Sequence, residues 1–168
     1  MPKVINVTEE ELISITKKLI DNKEYTNINC RYISNLANIG LGTFYKFFDS
    51  KYSLIARVIL NDWILFRKEI IINNNLLDSI KSIYNALYLF TKKYFDFFQY
   101  ESNSSLNIVH DKHSLLFEQI KEDIINCYNF NNINYDIDII NFLSNMIIYY
   151  ASNLYEFDVL NKILNKLI

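Results

Sequence analysis

Apolar residues return every three or four positions along almost the whole chain, which predicts helices rather than strands. The first helix is signalled most fully. Thr8 stands where an N-cap belongs, Glu11 three residues later completes a capping box, and Glu9 and Glu10 suit the positive end of the helix dipole. Its apolar face is Leu12, Ile15, Leu19 and Ile20, and the polar stretch Asp21 to Asn27 ends it. A short second helix runs from about Asn29 to Ala37, with Cys30, Ile33, Leu36 and Ala37 on one face. Asn38-Ile39-Gly40 makes a tight turn into a third short helix, Leu41 to Phe48. A long fourth helix starts near Ser50 and carries Leu54, Ile55, Val58, Ile59, Trp63 and Phe66 at helical spacing.

Asparagine clusters punctuate the rest, since Asn tolerates left-handed turns. The breaks fall at Asn73 to Asn75, at Glu101 to Ser105 and at Asn129 to Asn134. Between the first two, Leu76 to Phe98 is apolar nearly all round, as a helix buried on most sides should be. A short helix near Leu106 follows, then helices over about Ser114 to Tyr128, Ile137 to Ser152 and Asp158 to Leu167. Ile133 to Ile139 alternates like a strand, but no partner strand is visible, so it reads as a loop entering a helix. The late helices carry Ile139, Leu143, Met146, Ile147, Tyr150, Leu154, Leu160, Ile163, Leu164 and Leu167 on one face. Phe142, Ile148 and Tyr149 give the first of them a second apolar face, which calls for a partner.

Composition sharpens this picture. Among 168 residues there are two glycines and one proline, too few for the turns of a hairpin-rich sandwich or barrel. Gly40 and Gly42 alone cannot build a phosphate-binding loop, which excludes Walker and Rossmann fingerprints. The fold class expected is all-α, with about nine helices. No apolar run approaches the ~20 residues of a membrane span, and Met1 to Asn6 lacks the apolar core of a signal peptide. Cys30 and Cys127 form neither metal spacing nor a disulfide framework, so a cytoplasmic location is expected. No nucleophile, base and orienting group are grouped, so no enzymatic activity and no cofactor is expected. His110 and His113 are spaced as a metal pair would be, but nothing at helical spacing completes a ligand set, and no metal is expected. Cys127 reads as a small core residue.

The informative stretch is Asn29 to Leu54, two short helices joined by a tight turn and followed by a longer one. Both glycines of the chain lie in it, and from Tyr25 to Arg57 the charges are Arg31, Lys46, Lys51 and Arg57 against Asp49. A locally basic patch in a chain of net charge −2 is the electrostatic mark of a nucleic-acid surface. The run Ile33-Ser-Asn-Leu-Ala37-Asn-Ile39-Gly-Leu-Gly42-Thr43-Phe44-Tyr45, with Phe48, Lys51 and Leu54 after it, resembles the helix-turn-helix signature of TetR-type transcriptional regulators. The likeness covers about residues 9 to 60; beyond it only helical character and size agree.

That resemblance implies a helix-turn-helix DNA-binding domain over residues 1–50, with the motif at about 28–47, and an effector-binding and dimerisation domain over 51–168. It implies that Asn29 caps the second helix and touches a phosphate, and that Arg31 reaches the DNA backbone from the same helix. Leu41, Gly42 and Lys46 fall where base-edge contacts come from, and Thr43, Tyr45 and Lys51 where phosphate contacts do. Ser34, Asn38, Gly40 and Phe44 depart from the family's Ala, Gly, Ser and Leu, and Gly40 removes a hydroxyl that often meets DNA. The partners expected are a pseudo-palindromic DNA duplex, a second copy of the chain held through the last two helices, and a small apolar or amphipathic effector. Tyr84, Tyr88, Tyr94 and Phe98 are the residues expected to line the effector pocket, although aromatic stripes are usually core. The function expected is a repressor released by a small molecule; the alternative is a helical protein-interaction module of the same fold without operator binding.

Overall fold

The computed structural model describes the backbone of residues 7–102 and 108–165, and the side chains of 7–101 and 115–165. Among the described residues the regular structure is entirely helical. The α-helices are α1 (Glu9–Asp21), α2 (Cys30–Leu36), α3 (Leu41–Phe47), α4 (Lys51–Arg67), α5 (Leu76–Ser102), α6 (Ile108–Phe130), α7 (Ile137–Ser152) and α8 (Phe157–Leu164), with a single 3-10 turn at Tyr25–Asn27. The short helix expected near Leu106 lies outside the described residues. The helix expected from Ser114 begins earlier, since α6 is continuous from Ile108. The strand-like alternation after Ile133 is a loop running into α7.

Local chemistry sets the helix starts. The Thr8 hydroxyl accepts from the Glu11 amide at 3.3 Å, and Asn75 Oδ1 accepts from the Asp78 amide at 3.0 Å. Ser50 and Ser53 cap one another's amides at the head of α4, at 3.2 and 3.1 Å, and the Asp136 carboxylate accepts from the Asp138 amide at 2.7 Å. Each bond satisfies an amide that a helix start leaves open.

Four of the helix ends share one device. Lys23, Asn38, Asn132 and Leu154 all adopt positive φ, between 53° and 59°. Just beyond α1, α2, α6 and α7 these residues donate back to Ile20, Asn35, Asn129 and Ala151, and the next residues donate to Leu19, Ser34, Tyr128 and Tyr150. This paired 5→2 and 6→1 bonding is the Schellman motif, which usually takes glycine at the left-handed position. In this chain Asn or a longer residue does the work, and neither glycine has positive φ.

The chain divides into two compact units, the first taking in the described residues of Met1–Asp62 and Phe97–Asn103, the second those of Trp63–Asp96 and Ser104–Ile168. In the first, α1 packs on α2 and α2 on α3. Its core is built from Leu12, Leu19, Ile20, Ile28, Ile33, Phe44, Leu54 and Val58, and Tyr25 meets Phe97 edge to face at 5.5 Å. Lys17 pairs with the buried carboxylate of Asp62. In the second unit α6 lies along α7 and α7 against α8, with Ile80, Ile83, Leu87, Ile120, Ile124, Ile140 and Ile147 in the interior. Arg67 holds Asp123 through two nitrogens, Nε at 2.8 Å and Nη2 at 2.8 Å, and reaches Glu122 at 2.7 Å. Trp63 donates to Gln119 at 2.7 Å. No helix among the described residues is long and apolar enough to cross a membrane.

Two expected faces change. Leu36 is 46% exposed, and the position facing inward on α2 is Ser34, whose hydroxyl is spent on the Cys30 carbonyl at 2.6 Å. Helical geometry favours this: Ser34 neighbours Ile33 and follows Cys30 by one turn, whereas Leu36 lies beyond the buried arc. Ile148, expected on the outer face of α7, is buried, leaving Ile139, Phe142 and Tyr149 as the outward strip.

Candidate nucleic-acid interface

The first unit presents α2, the turn and α3 as one locally determined piece. Asn29 opens α2 by accepting from the Tyr32 amide at 2.9 Å, and it remains exposed. The α2 terminus closes on Asn38, whose φ of 53° turns the chain and delivers buried Ile39 to donate to the Ser34 carbonyl at 3.0 Å. Gly40 then starts α3 from extended backbone, its carbonyl accepting from Thr43 at 2.9 Å and Phe44 at 3.2 Å. No side chain caps α3, since Gly40 has none. Phe44 is fully buried and packs with Phe48 at 6.2 Å, so the opposite side of α3 must face outward.

That outward side is Leu41, Gly42, Tyr45 and Lys46, all exposed, with Thr43 half-buried. Tyr45 touches Phe44 edge to face at 5.5 Å while half of it stays in solvent. The Cys30 thiol beside it raises the Tyr45 phenol above its ordinary pKa. Arg31 is exposed on α2. Neither Arg31 nor Lys46 has a side-chain partner among the described residues. From Ile28 to Phe48 the chain holds these two cations and no carboxylate.

Two of the four cations in the sequence patch are otherwise engaged. Lys51 is half-buried, 3.4 Å from Glu101 and 4.7 Å over the ring of Tyr52. Arg57 lies 3.3 Å from Glu9. Neither acid was legible as a neighbour, because Glu9 and Glu101 are far away in sequence. The structure thus brings Asn29, Arg31, Leu41, Gly42, Tyr45 and Lys46 to the exposed part of this piece, with Thr43 at its edge and Lys51 already paired. Pattern reading also missed Tyr32 and Phe47, which are 36% exposed beside it.

The glycines require a separate account. A Cβ built on Gly40 or Gly42 meets no heavy atom of the chain within 4 Å, and both have negative φ. Neither turn geometry nor internal packing demands glycine here.

Of the four aromatic residues expected to line a pocket, Tyr84 and Tyr88 lie side by side. Tyr84, Tyr88 and Tyr94 belong to the second unit and Phe98 to the first. Tyr84 is 1% exposed, donates its hydroxyl to the Tyr155 carbonyl and meets Phe157 edge to face at 5.3 Å. Burial pushes its phenol up to about 12. Tyr88 stacks on Tyr84 at 6.2 Å and donates to Glu156 at 3.2 Å, while Tyr94 is buried against Phe90. A groove of about 640 Å³ opens elsewhere in the second unit, walled by Leu76, Tyr128, Tyr135, Ile139, Phe142 and Leu143, with Asp136 and Asp138 at its edge. Cys127 is buried, and burial pushes its thiol up to about 12, which keeps it protonated. The side chains of His110 and His113 lie outside the described ones.

Comparisons with protein-family models, curated proteins and solved structures found no match to this chain.

Proposed function

We propose that the protein is a sequence-specific DNA-binding transcriptional regulator of the TetR type, acting as a dimeric repressor released by a small molecule. The observation that carries this reading is the exposed, carboxylate-free face of α2 and α3, held rigid by the Schellman turn at Asn38 and by buried Phe44. A helix held that way is suited to enter a major groove, with its neighbour crossing the backbone. In this reading Asn29, Arg31, Thr43 and Tyr45 meet phosphates, and Leu41, Gly42 and Lys46 meet base edges. Lys51 reaches a phosphate only by leaving Glu101.

The outward strip of α7, Ile139, Phe142 and Tyr149, together with Tyr155 and Val159 at 44% and 41% exposure, supports pairing with a second copy. Ile139 and Phe142 also wall the open groove, whose mostly apolar lining is the feature that favours an apolar ligand there. A ligand there would border the dimer contact, giving it a route to favour one spacing of the two DNA-reading heads over another.

The test is anisotropy with duplexes from the region upstream of the gene, over a salt series. Affinity should fall steeply with salt, because the anchoring contacts are to phosphate. Phe142→Glu should give a folded monomer by ultracentrifugation and lose operator affinity. Salt-independent binding, or a dimer that survives Phe142→Glu, would refute these assignments.

A second reading has its own support. Tyr32, Leu36, Leu41, Tyr45 and Phe47 make the same face unusually apolar, as a protein-docking module would have it. Failure to bind duplex DNA at low salt would favour it.

A further inference from the structure

Of the seven residues of α3, Leu41 to Phe47, none is Arg, Asn or Gln. Those side chains, with Lys, make the bidentate contacts that pick out guanine and adenine in the major groove, so Lys46 alone on α3 is left to read guanine and nothing is left to read adenine that way. The exposed face of α3 offers Leu41, the bare backbone at Gly42, Tyr45 and one hydrogen-bonding cation, Lys46. The one base feature that an apolar side chain reads in that groove is the C5-methyl group of thymine. Gly42 sharpens the point. Glycine costs a helix about 1 kcal/mol against alanine, and nothing inside this chain requires it, since a Cβ there would stand in open space. A clearing that the fold does not need fits close approach by something outside the chain. The surrounding charge selects the occupant: Arg31 and Lys46 are exposed and have no partner among the described residues, and Ile28 to Phe48 contains no acid, which suits a polyanion better than a typical protein surface.

We infer that the exposed face of α3 recognises duplex DNA through thymine methyl groups, with Leu41 as the apolar contact and Gly42 as the clearing that admits the base edge. The inference rests on the DNA-binding reading above and adds to it the base class that is read. Lys46 meets a neighbouring base edge from the same face, and phosphate contacts, the Tyr45 hydroxyl among them, hold the register.

The experiment uses the full chain. Selection from a randomised duplex library yields half-sites, and each thymine in them is then replaced by uracil, which removes the methyl and keeps the pairing. Thymines outside the half-sites, replaced in the same way, serve as controls. At one or two positions per half-site, affinity should fall about fourfold for each methyl removed. Leu41→Ala, at an exposed position, should bind the thymine and uracil duplexes alike at the position that it reads. Selected half-sites lacking thymine, or equal binding of both duplexes by the unaltered chain, would overturn the inference while leaving sequence-specific DNA binding in place. Undiminished discrimination by Leu41→Ala would overturn the assignment to this face. No salt-dependent enrichment of any duplex would remove the regulator reading and the inference with it.

Discussion

Gly42→Ala should move stability and DNA affinity in opposite directions. Gly42 is the second residue of α3, has negative φ and is exposed, and an added Cβ would touch nothing within 4 Å. The folded state therefore loses nothing by the change, while the unfolded chain loses backbone freedom. For a helix interior the gain from Gly to Ala is about 1 kcal/mol; near a helix end a gain of about 0.5–1 kcal/mol is expected. For a chain of this size that amounts to a melting temperature higher by about 1–4 °C. On DNA the same methyl occupies the space assigned to the base edge, and affinity for selected half-sites should drop at least tenfold. Non-specific affinity, which depends on phosphates, should hardly change. Thermal melts followed by circular dichroism give the first number, and anisotropy on matched and scrambled duplexes gives the second. Destabilisation by more than about 0.5 kcal/mol would refute the claim that the fold does not need this glycine. Higher stability with unchanged specific affinity would refute the clearing.

Two further outcomes follow from the charge pairs. Burial outweighs the Arg67 guanidinium and holds the Asp123 carboxyl above the usual carboxylate range. Arg67→Ala removes the cation that holds it, so the carboxyl should rise further and stability at neutral pH should fall by about 3 kcal/mol. A carboxyl raised in the folded state contributes stability that is fully present below its unfolded pKa and lost as pH rises through the folded one. The deficit in urea midpoint should therefore shrink from pH 7 to pH 4, and a pH-independent deficit would contradict this account. Glu101→Gln should free Lys51 for phosphate, tightening binding to all duplexes alike and steepening the salt dependence by about 0.9 per protomer. An unchanged slope would show that Lys51 does not reach DNA.

Much of this protein's local structure is readable from the chain alone, because it depends on neighbours in sequence. Thr8, Ser50, Asn75 and Asp136 cap helices by bonding amides two or three residues ahead, and Asn38 turns left-handed because its own short side chain permits it. The all-helical class, the span of α7 and the inward Phe44 and Phe48 follow from periodicity for the same reason. Tertiary structure decided whatever depends on distant partners. Glu9 and Glu101 occupy Arg57 and Lys51, leaving Arg31 and Lys46 as the cations of the patch without a partner among the described residues. Tyr84 closes on the Tyr155 carbonyl and packs on Phe157, while a groove opens at Tyr128, Tyr135 and Phe142. A side chain's spacing fixes which face of its helix it occupies; what that face meets is set by elements dozens of residues away.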